Sequence, residues 1–408
     1  MKTAWSPLRH PLFRAMWIAS VASNVGTWMH TVAAGWLMTR LATSPLPVAL
    51  VQTATTLPVF LISLPAGALA DLVDRRRWLI FTQSLMLAIA ALLGAMNLAG
   101  AIGPWSLLLL TFALGAATAM NGPAWSAAIP ELVPREELPA AVALNSVGFN
   151  IARAVGPALG GLVMAASSAG VVFILNAISF LGVIVVLVQW RYARVPFDGG
   201  DPGMRRAMRE GLRYVRATPT YHAVLVRAGL FAFAGSALWA LLPVVASAQL
   251  GSTSSGYGIL LGCLGAGSVI GAAALPALRR RYSPDRLIGG GIALFAAATL
   301  GLALIHSFTP VAAAMLAGGM AWITIMSTFN VSAQMAPPVL MRARALAVYI
   351  LVFQGSLAVG ASVWGAAAGH WTVGAALEAA AIMMIAGLAV TGALRLEPKI
   401  VEDKEYAA

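Results

Sequence analysis

The sequence predicts an all-α membrane protein of twelve transmembrane helices, arranged as two pseudo-symmetric six-helix bundles. Three observations carry that expectation. The 408 residues are 60% hydrophobic and only 10% charged, with a mean hydropathy of +0.84. Soluble domains carry about 25% charged residues, so this chain lacks a polar coat and its apolar surface must face lipid. Twelve apolar runs each reach the roughly 20 residues that a spanning helix needs. The triplet "RRR" closes two of these runs, at Arg75 and at Arg279, 204 residues apart and thus half a chain apart.

Each run has its own signals. Span 1, 14–39, follows "MKTAWSPLRHPLFRAMW", which has no apolar core leading to a small-residue cleavage site, so it is expected to be retained. Span 2, 46–70, opens at "SPLP" and stops before the first triplet. Span 3, 77–99, ends at "NLAGAIGP", a turn signal. Span 4, 104–128, starts on Pro104, and span 5, 139–165, on Pro139, where a missing N–H costs nothing. Span 6, 169–190, runs from "SSAG" to Trp190. The longest polar stretch follows, "RYARVPFDGGDPGMRRAMREGLRYVRATPT" over 191–220, read as a cytoplasmic linker that includes an amphipathic basic helix lying on acidic lipid. Spans 7 to 12 are 221–247, 256–278, 285–306, 310–334, 343–367 and 372–395, again divided by short Gly, Pro and Ser turns. The chain therefore divides into a bundle over 1–190, a linker over 191–220, and a second bundle with a short cytoplasmic tail over 221–408.

The net charge of +12 would point to nucleic acid in a soluble protein. Of the 26 Lys and Arg, however, 24 lie in the tails, in the even-numbered connections or at span ends beside them. Arg40 is the single exception in an odd-numbered connection, and Arg153 falls inside span 5. The positive-inside rule places both termini and the linker in the cytoplasm and accounts for the charge without nucleic acid. Cys263 is the only cysteine, which excludes an internal disulfide and a cysteine-rich metal site. The triplets mark the same place in each half, the cytoplasmic end of spans 2 and 8. "FRAMWIASVAS" at 13–23 resembles "VRAGLFAFAGS" at 226–236, and "PELVPREELPAAVAL" at 130–144 corresponds to "APPVLMRARALAVYI" at 336–350. A duplicated bundle of this kind can rock one half against the other around a central site.

The connection after span 2 holds Gly67, Asp71, Leu72, Asp74, Arg75 and Arg76. This resembles the G-x-x-x-D-(R/K)-x-G-R-(R/K) loop of the major facilitator superfamily, with Leu72 and Asp74 as departures. Span 5 carries "GPALGG", that is Gly156, Pro157, Gly160 and Gly161, the core of the superfamily's antiporter signature. The longer run "PELVPREELPAAVALNSVGFNIARAVGPALGG" is similar to bacterial exporters of the enterobactin exporter branch, the transmembrane secretion effectors. The resemblance covers nearly the whole chain. It implies the major facilitator fold and a monomer in the bacterial inner membrane, exporting siderophore-like or drug-like small molecules by alternating access, driven by the proton gradient. It also implies that Asp71 latches the outward-facing state against the start of span 11, with Arg75 and Arg76 beside it; the alternative is a solvated charge.

Within the spans, Asn24, Thr27, Trp28 and Thr31 share one face by i, i+3, i+4, i+7 spacing. Polar groups in hydrocarbon must face protein or water, so this face should line a cavity. Asn121 and Trp125, then Trp239, then Trp322 and Asn330 are candidates for the same cavity, each equally readable as packing. Together these aromatics and amides suit a bulky, partly apolar ligand. Ala152, Gly156 and Gly160 form a small-residue stripe on span 5, and Gly258, Gly262, Gly267 and Gly271 mark span 8; such stripes let helices of opposite halves approach and slide. Arg153 lies about 21 Å into the bilayer at 1.5 Å per residue. It either bonds carbonyls and Asn150 to hold its helix, or meets an anionic substrate through a forked contact. His30, Asp71 and Glu378 are the candidates for proton coupling, though His30 is equally readable as bonded to a backbone carbonyl and Glu378 as lying near the outer interface. No zinc-protease, hydrolase, nucleotide or paired-carboxylate motif appears, so neither catalysis nor a cofactor is expected. A lipid flippase or a solute importer on the same fold remains the alternative function.

Overall fold

The computed structural model describes residues 5–190, 213, 218–337 and 342–392; the side chains of 63–64, 67–72, 219–220 and 343–344 lie outside that description. Most of the linker, the proposed basic helix within it and the C-terminal tail therefore fall outside it too. Among the described residues there are twelve long α-helices and no strand. The N-terminal half is α1 (Pro11–Leu41), α2 (Pro45–Leu72), α3 (Arg75–Leu98), α4 (Pro104–Leu132), α5 (Leu138–Ala166) and α6 (Ala169–Gln189). The C-terminal half is α7 (Pro219–Val244), α8 (Ser254–Arg281), α9 (Pro284–Leu304), α10 (Phe308–Met335), α11 (Arg342–His370) and α12 (Val373–Thr391).

Local chemistry sets the boundaries. Asp74 caps α3 by accepting the Arg77 N–H at 2.9 Å, and Ser168 and Thr372 cap α6 and α12 in the same way. Proline opens α1, α4 and α9. At the end of α3 the chain turns on Gly100, whose φ is +67°. Its N–H bonds the Asn97 carbonyl while that of Ala101 bonds Met96, a turn that needs the left-handed backbone glycine tolerates. Past Pro243, α7 widens into a π-helical turn over Val245–Gln249.

Eleven helical segments are long and apolar enough to cross a membrane. The helix missing from that set is α1, although it is 31 residues long. Ser20, Ser23, Asn24, Thr27 and Thr31 dilute its hydropathy, and all five face the cavity described below.

Packing repeats from one half to the other. In the first half α1 packs on α5 and α6, α2 on α4, and α3 on α4 and α6. In the second, α7 packs on α11 and α12, α8 on α10, and α9 on α10 and α12, the same set shifted by six helices. The halves meet through α2 against α11 and α5 against α8. Small residues bring α5 and α8 together. A Cβ on Gly258 would stand 2.6 Å from the Pro157 carbonyl, and one on Gly161 would stand 2.6 Å from the Ser254 carbonyl. Across the other seam, Thr53 Oγ1 donates to the Ala358 carbonyl at 3.0 Å and lies 2.9 Å from Ser362 Oγ. The α5 stripe divides its work differently from the sequence expectation. Gly156 and Gly160 press on Trp28 and Met29 of α1, inside their own half, while Pro157 and Gly161 face α8. Neighbouring positions point about 100° apart on a helix, so one motif serves two interfaces. Gly267 and Gly271 likewise face α10 within their own half, and Gly258, Gly262 and Gly265 face α5.

Candidate functional site

The polar face of α1 lines a cavity of about 710 Å³ between the two halves. Its threonine hydroxyls spend their protons on their own helix. Thr27 Oγ1 donates to the Ser23 carbonyl at 2.9 Å and Thr31 Oγ1 to the Thr27 carbonyl at 3.0 Å. Thr55 and Thr56 of α2 and Thr118 of α4 bond back four residues in the same way. Lone pairs are what these side chains leave for the cavity, so this wall accepts hydrogen bonds more readily than it donates them. Asn121 Oδ1 takes Thr82 Oγ1 at 3.0 Å and Gln83 Nε2 at 3.3 Å, and Trp125 stands two turns of spacing short of the α4 end.

The opposite wall is aromatic. Trp239 of α7, Trp322 of α10 and Phe353 of α11 line it. Trp322 is the hub: its ring centre lies 5.3 Å from that of Trp239 and 6.2 Å from that of Phe353, with Phe295 packed behind at 5.7 Å. Ring pairs at these separations pack favourably beyond their buried area.

Arg153 reaches the cavity from α5 and is 9% exposed. Its guanidinium carbon lies 5.8 Å from the ring centre of Trp28 and 5.8 Å from that of Trp239, one indole from each half. Both lie within cation–π reach. Its Nε has no hydrogen-bond partner, and no carboxylate among the described residues pairs with it. No bond joins it to Asn150, one of its two expected roles; Asn150 Nδ2 donates to the Ser146 carbonyl of its own helix at 2.8 Å.

The cavity is closed toward the face with the odd-numbered connections. There Trp36 of α1 stacks on Tyr257 of α8, centres 5.9 Å apart and planes at 21°. Toward the other face α5 and α8 diverge. The α5 and α8 faces that meet at Gly161 and Gly258 continue as Ala143 and Val147 and as Ala272 and Pro276, all exposed. Asn145 and Phe149, near the start of α5, line the cavity there. Among the described residues, this is a cavity closed below and reachable from the face with the even-numbered connections.

The remaining sequence expectations sort by position. Asn24, Thr27, Trp28, Thr31, Asn121, Trp125, Trp239 and Trp322 line the cavity. Asn330 does not: it is exposed and accepts from Gln334 Nε2 at 2.6 Å, a full two turns beyond Trp322. His30 lines the cavity, 4% exposed, its ring centre 4.6 Å from Phe173. Neither ring nitrogen has a partner among the described residues, so no backbone carbonyl satisfies it. Glu378 is half-buried in the second turn of α12, beside an odd-numbered connection and away from the cavity. The side chains of Gly67 and Asp71 lie outside the described residues. Arg75 pairs with Glu131 of α4, and Arg76 donates to the Leu187 carbonyl at 2.8 Å and the Val188 carbonyl at 2.6 Å, closing the end of α6. All three described partners belong to the first half, so the described contacts of these arginines tie that half together. Sequence reading missed Gln52, Thr55, Thr56 and Val59, which line the cavity at i, i+3, i+4, i+7, the spacing already applied to α1. No group of His, Cys, Asp and Glu suited to a metal occurs among the described residues.

Comparison with known proteins gives consistent results. A family model described as "Transmembrane secretion effector" matches residues 2–407. The staphyloferrin A transporter of Staphylococcus aureus is 24% identical over 281 residues, 68% of this chain and 70% of that one. Macrolide efflux protein A of Streptococcus pyogenes is 23% identical over 238 residues, 57% of this chain and 58% of that one. Among solved structures, a bacterial homologue of the human lysosomal transporter Spinster, inward-facing and unoccupied, aligns over 95% of this chain and 96% of its own with a TM-score of 0.71 at 16% identity. An auto-inhibited peptide transporter of the POT family aligns over 97% and 99% with a TM-score of 0.77 at 13% identity.

Proposed function

The chain belongs to the transmembrane secretion effector family of major facilitator superfamily transporters, and from that premise we propose that it exports small molecules from the bacterial cytoplasm by alternating access. The observation that carries this reading is the cavity between the halves, closed toward the odd-numbered connections and open toward the even-numbered ones. The basic residues cluster on the open side, which the positive-inside rule assigns to the cytoplasm, with both termini. A solute would then load from the cytoplasm, and rocking about the α2–α11 and α5–α8 seams would reopen the cavity outward. Siderophore-like and drug-like solutes are the candidate cargo, in keeping with the names of the relatives. The proton gradient is the proposed drive, with His30 as its carrier, since it lines the cavity and Glu378 does not.

Everted membrane vesicles with an acid interior test the direction and the drive together. Accumulation that collapses with a protonophore is the expected result. Accumulation in right-side-out vesicles instead would reverse the direction, and indifference to the protonophore would remove the proton. His30→Gln is expected to abolish the response to the pH gradient while solute exchange across the membrane continues.

A further inference from the structure

We propose that the cavity selects an amphipathic organic anion and that Arg153 binds its charged group; the proposal rests on reading this cavity as the transport site. The guanidinium of Arg153 is buried with no described acid beside it. Ring faces of Trp28 and Trp239 satisfy its charge but not its directional N–H donors, and its Nε–H is unpartnered. A second buried donor stands beside it. Trp239 Nε1–H also lacks a partner, on the ring whose centre is 5.8 Å from the guanidinium carbon. Two unsatisfied donors, one charged, from opposite halves are the complement of an oxyanion.

The surroundings define the rest of the ligand. Among the described residues lining the cavity there is no Asp or Glu, and Arg153 is the only one with a fixed charge, so a cationic solute would meet repulsion and no partner. Trp322 and Phe353, set edge to face with their planes at 65°, offer an apolar aromatic wall next to the anion position. The threonine wall opposite presents lone pairs, which suit hydroxyl or amide donors on the ligand's other side. A cavity of about 710 Å³ holds such a molecule. Because the two donors come from different halves, the anion would bridge them, and its binding would be coupled to their relative position.

The same chemistry describes a soluble aromatic carboxylate and an anionic lipid headgroup, so the test includes both. Binding of 2-naphthoxyacetate, its neutral methyl ester and dihexanoyl phosphatidylglycerol to the full-length protein in uncharged detergent is read by titration calorimetry. The acid is expected to bind wild type about tenfold tighter than the ester or better. Arg153→Gln should erase that preference, Arg153→Lys should keep part of it, and Trp239→Phe should weaken the acid more than the ester. An Arg153-dependent preference confined to the phosphatidylglycerol would assign the site to a lipid headgroup. An ester that binds wild type as tightly as both the acid and the phosphatidylglycerol, a result that needs no variant, would overturn the proposal, as would equal losses of all three in Arg153→Gln. Binding is read without transport. Vesicles that move no solute would sink the export reading and leave this one standing, and the reverse holds too.

Discussion

Arg76 and Arg77 are neighbours in the sequence with opposite surroundings. Arg76 closes the last carbonyls of α6, while the Arg77 side chain is exposed. Arg76→Ala is expected to lower stability by about 1.5–3 kcal/mol, the worth of hydrogen bonds to a charged group, and Arg77→Ala by less than about 0.5 kcal/mol, both read from thermal unfolding in detergent. Equal shifts would show that the triplet acts through charge alone. From the sequence the three arginines are equivalent anchors, because which one meets a carbonyl depends on where α6 ends. Arg153 was legible in the same partial way. Its depth follows from counting along one helix, but its neighbour Trp239 stands 86 positions away on the other half, and nothing in local spacing brings the two together.

Among helices, the seam between α5 and α8 turns on which glycines touch backbone. Gly258 faces the Pro157 carbonyl at 2.6 Å from where a Cβ would sit, whereas Gly262 has only Ala158 and Ala154 atoms at 3.5 and 3.6 Å. Gly258→Ala should therefore force the seam apart, at the 1–3 kcal/mol typical of overpacking, and Gly262→Ala should be tolerated. In a Cys263→Ser background, a cysteine at Ala34, which lines the cavity near its floor, is expected to become about fivefold or more reactive toward reagent from the odd-connection side in Gly258→Ala alone. No difference between the two variants would remove the seam as the closing element. Small-residue stripes were legible in the sequence, and so was their purpose of close approach. The partner of each stripe was not, because residues one position apart on the same helix face different neighbours.

For the whole molecule, twelve spans and a doubled plan follow from hydropathy and repeated signals alone, because lipid forces every backbone group into a helix and leaves few architectures. The helix that hydropathy least supports is α1, because its polar face lines the cavity. Orientation is a prediction at this scale. Cysteines at Ser252, between α7 and α8, and at Tyr282, after α8, are expected to label from opposite sides of the membrane in the Cys263→Ser background, Ser252 from outside. Labelling of both from outside intact cells would contradict the arrangement. The two seams carry a genealogical consequence. Shifting by six helices turns α2 against α11 into α8 against α5, so the seams are one contact made twice. An ancestral six-helix chain would have met its own copy through a single self-complementary patch, its second helix on the partner's fifth and the reverse, as in any two-fold dimer. On that history the association is older than the covalent tether. Halves severed within 191–217 and produced together are expected to copurify, while two first halves paired alone would bring threonine wall against threonine wall, with no indole of α7 to shelter either Arg153.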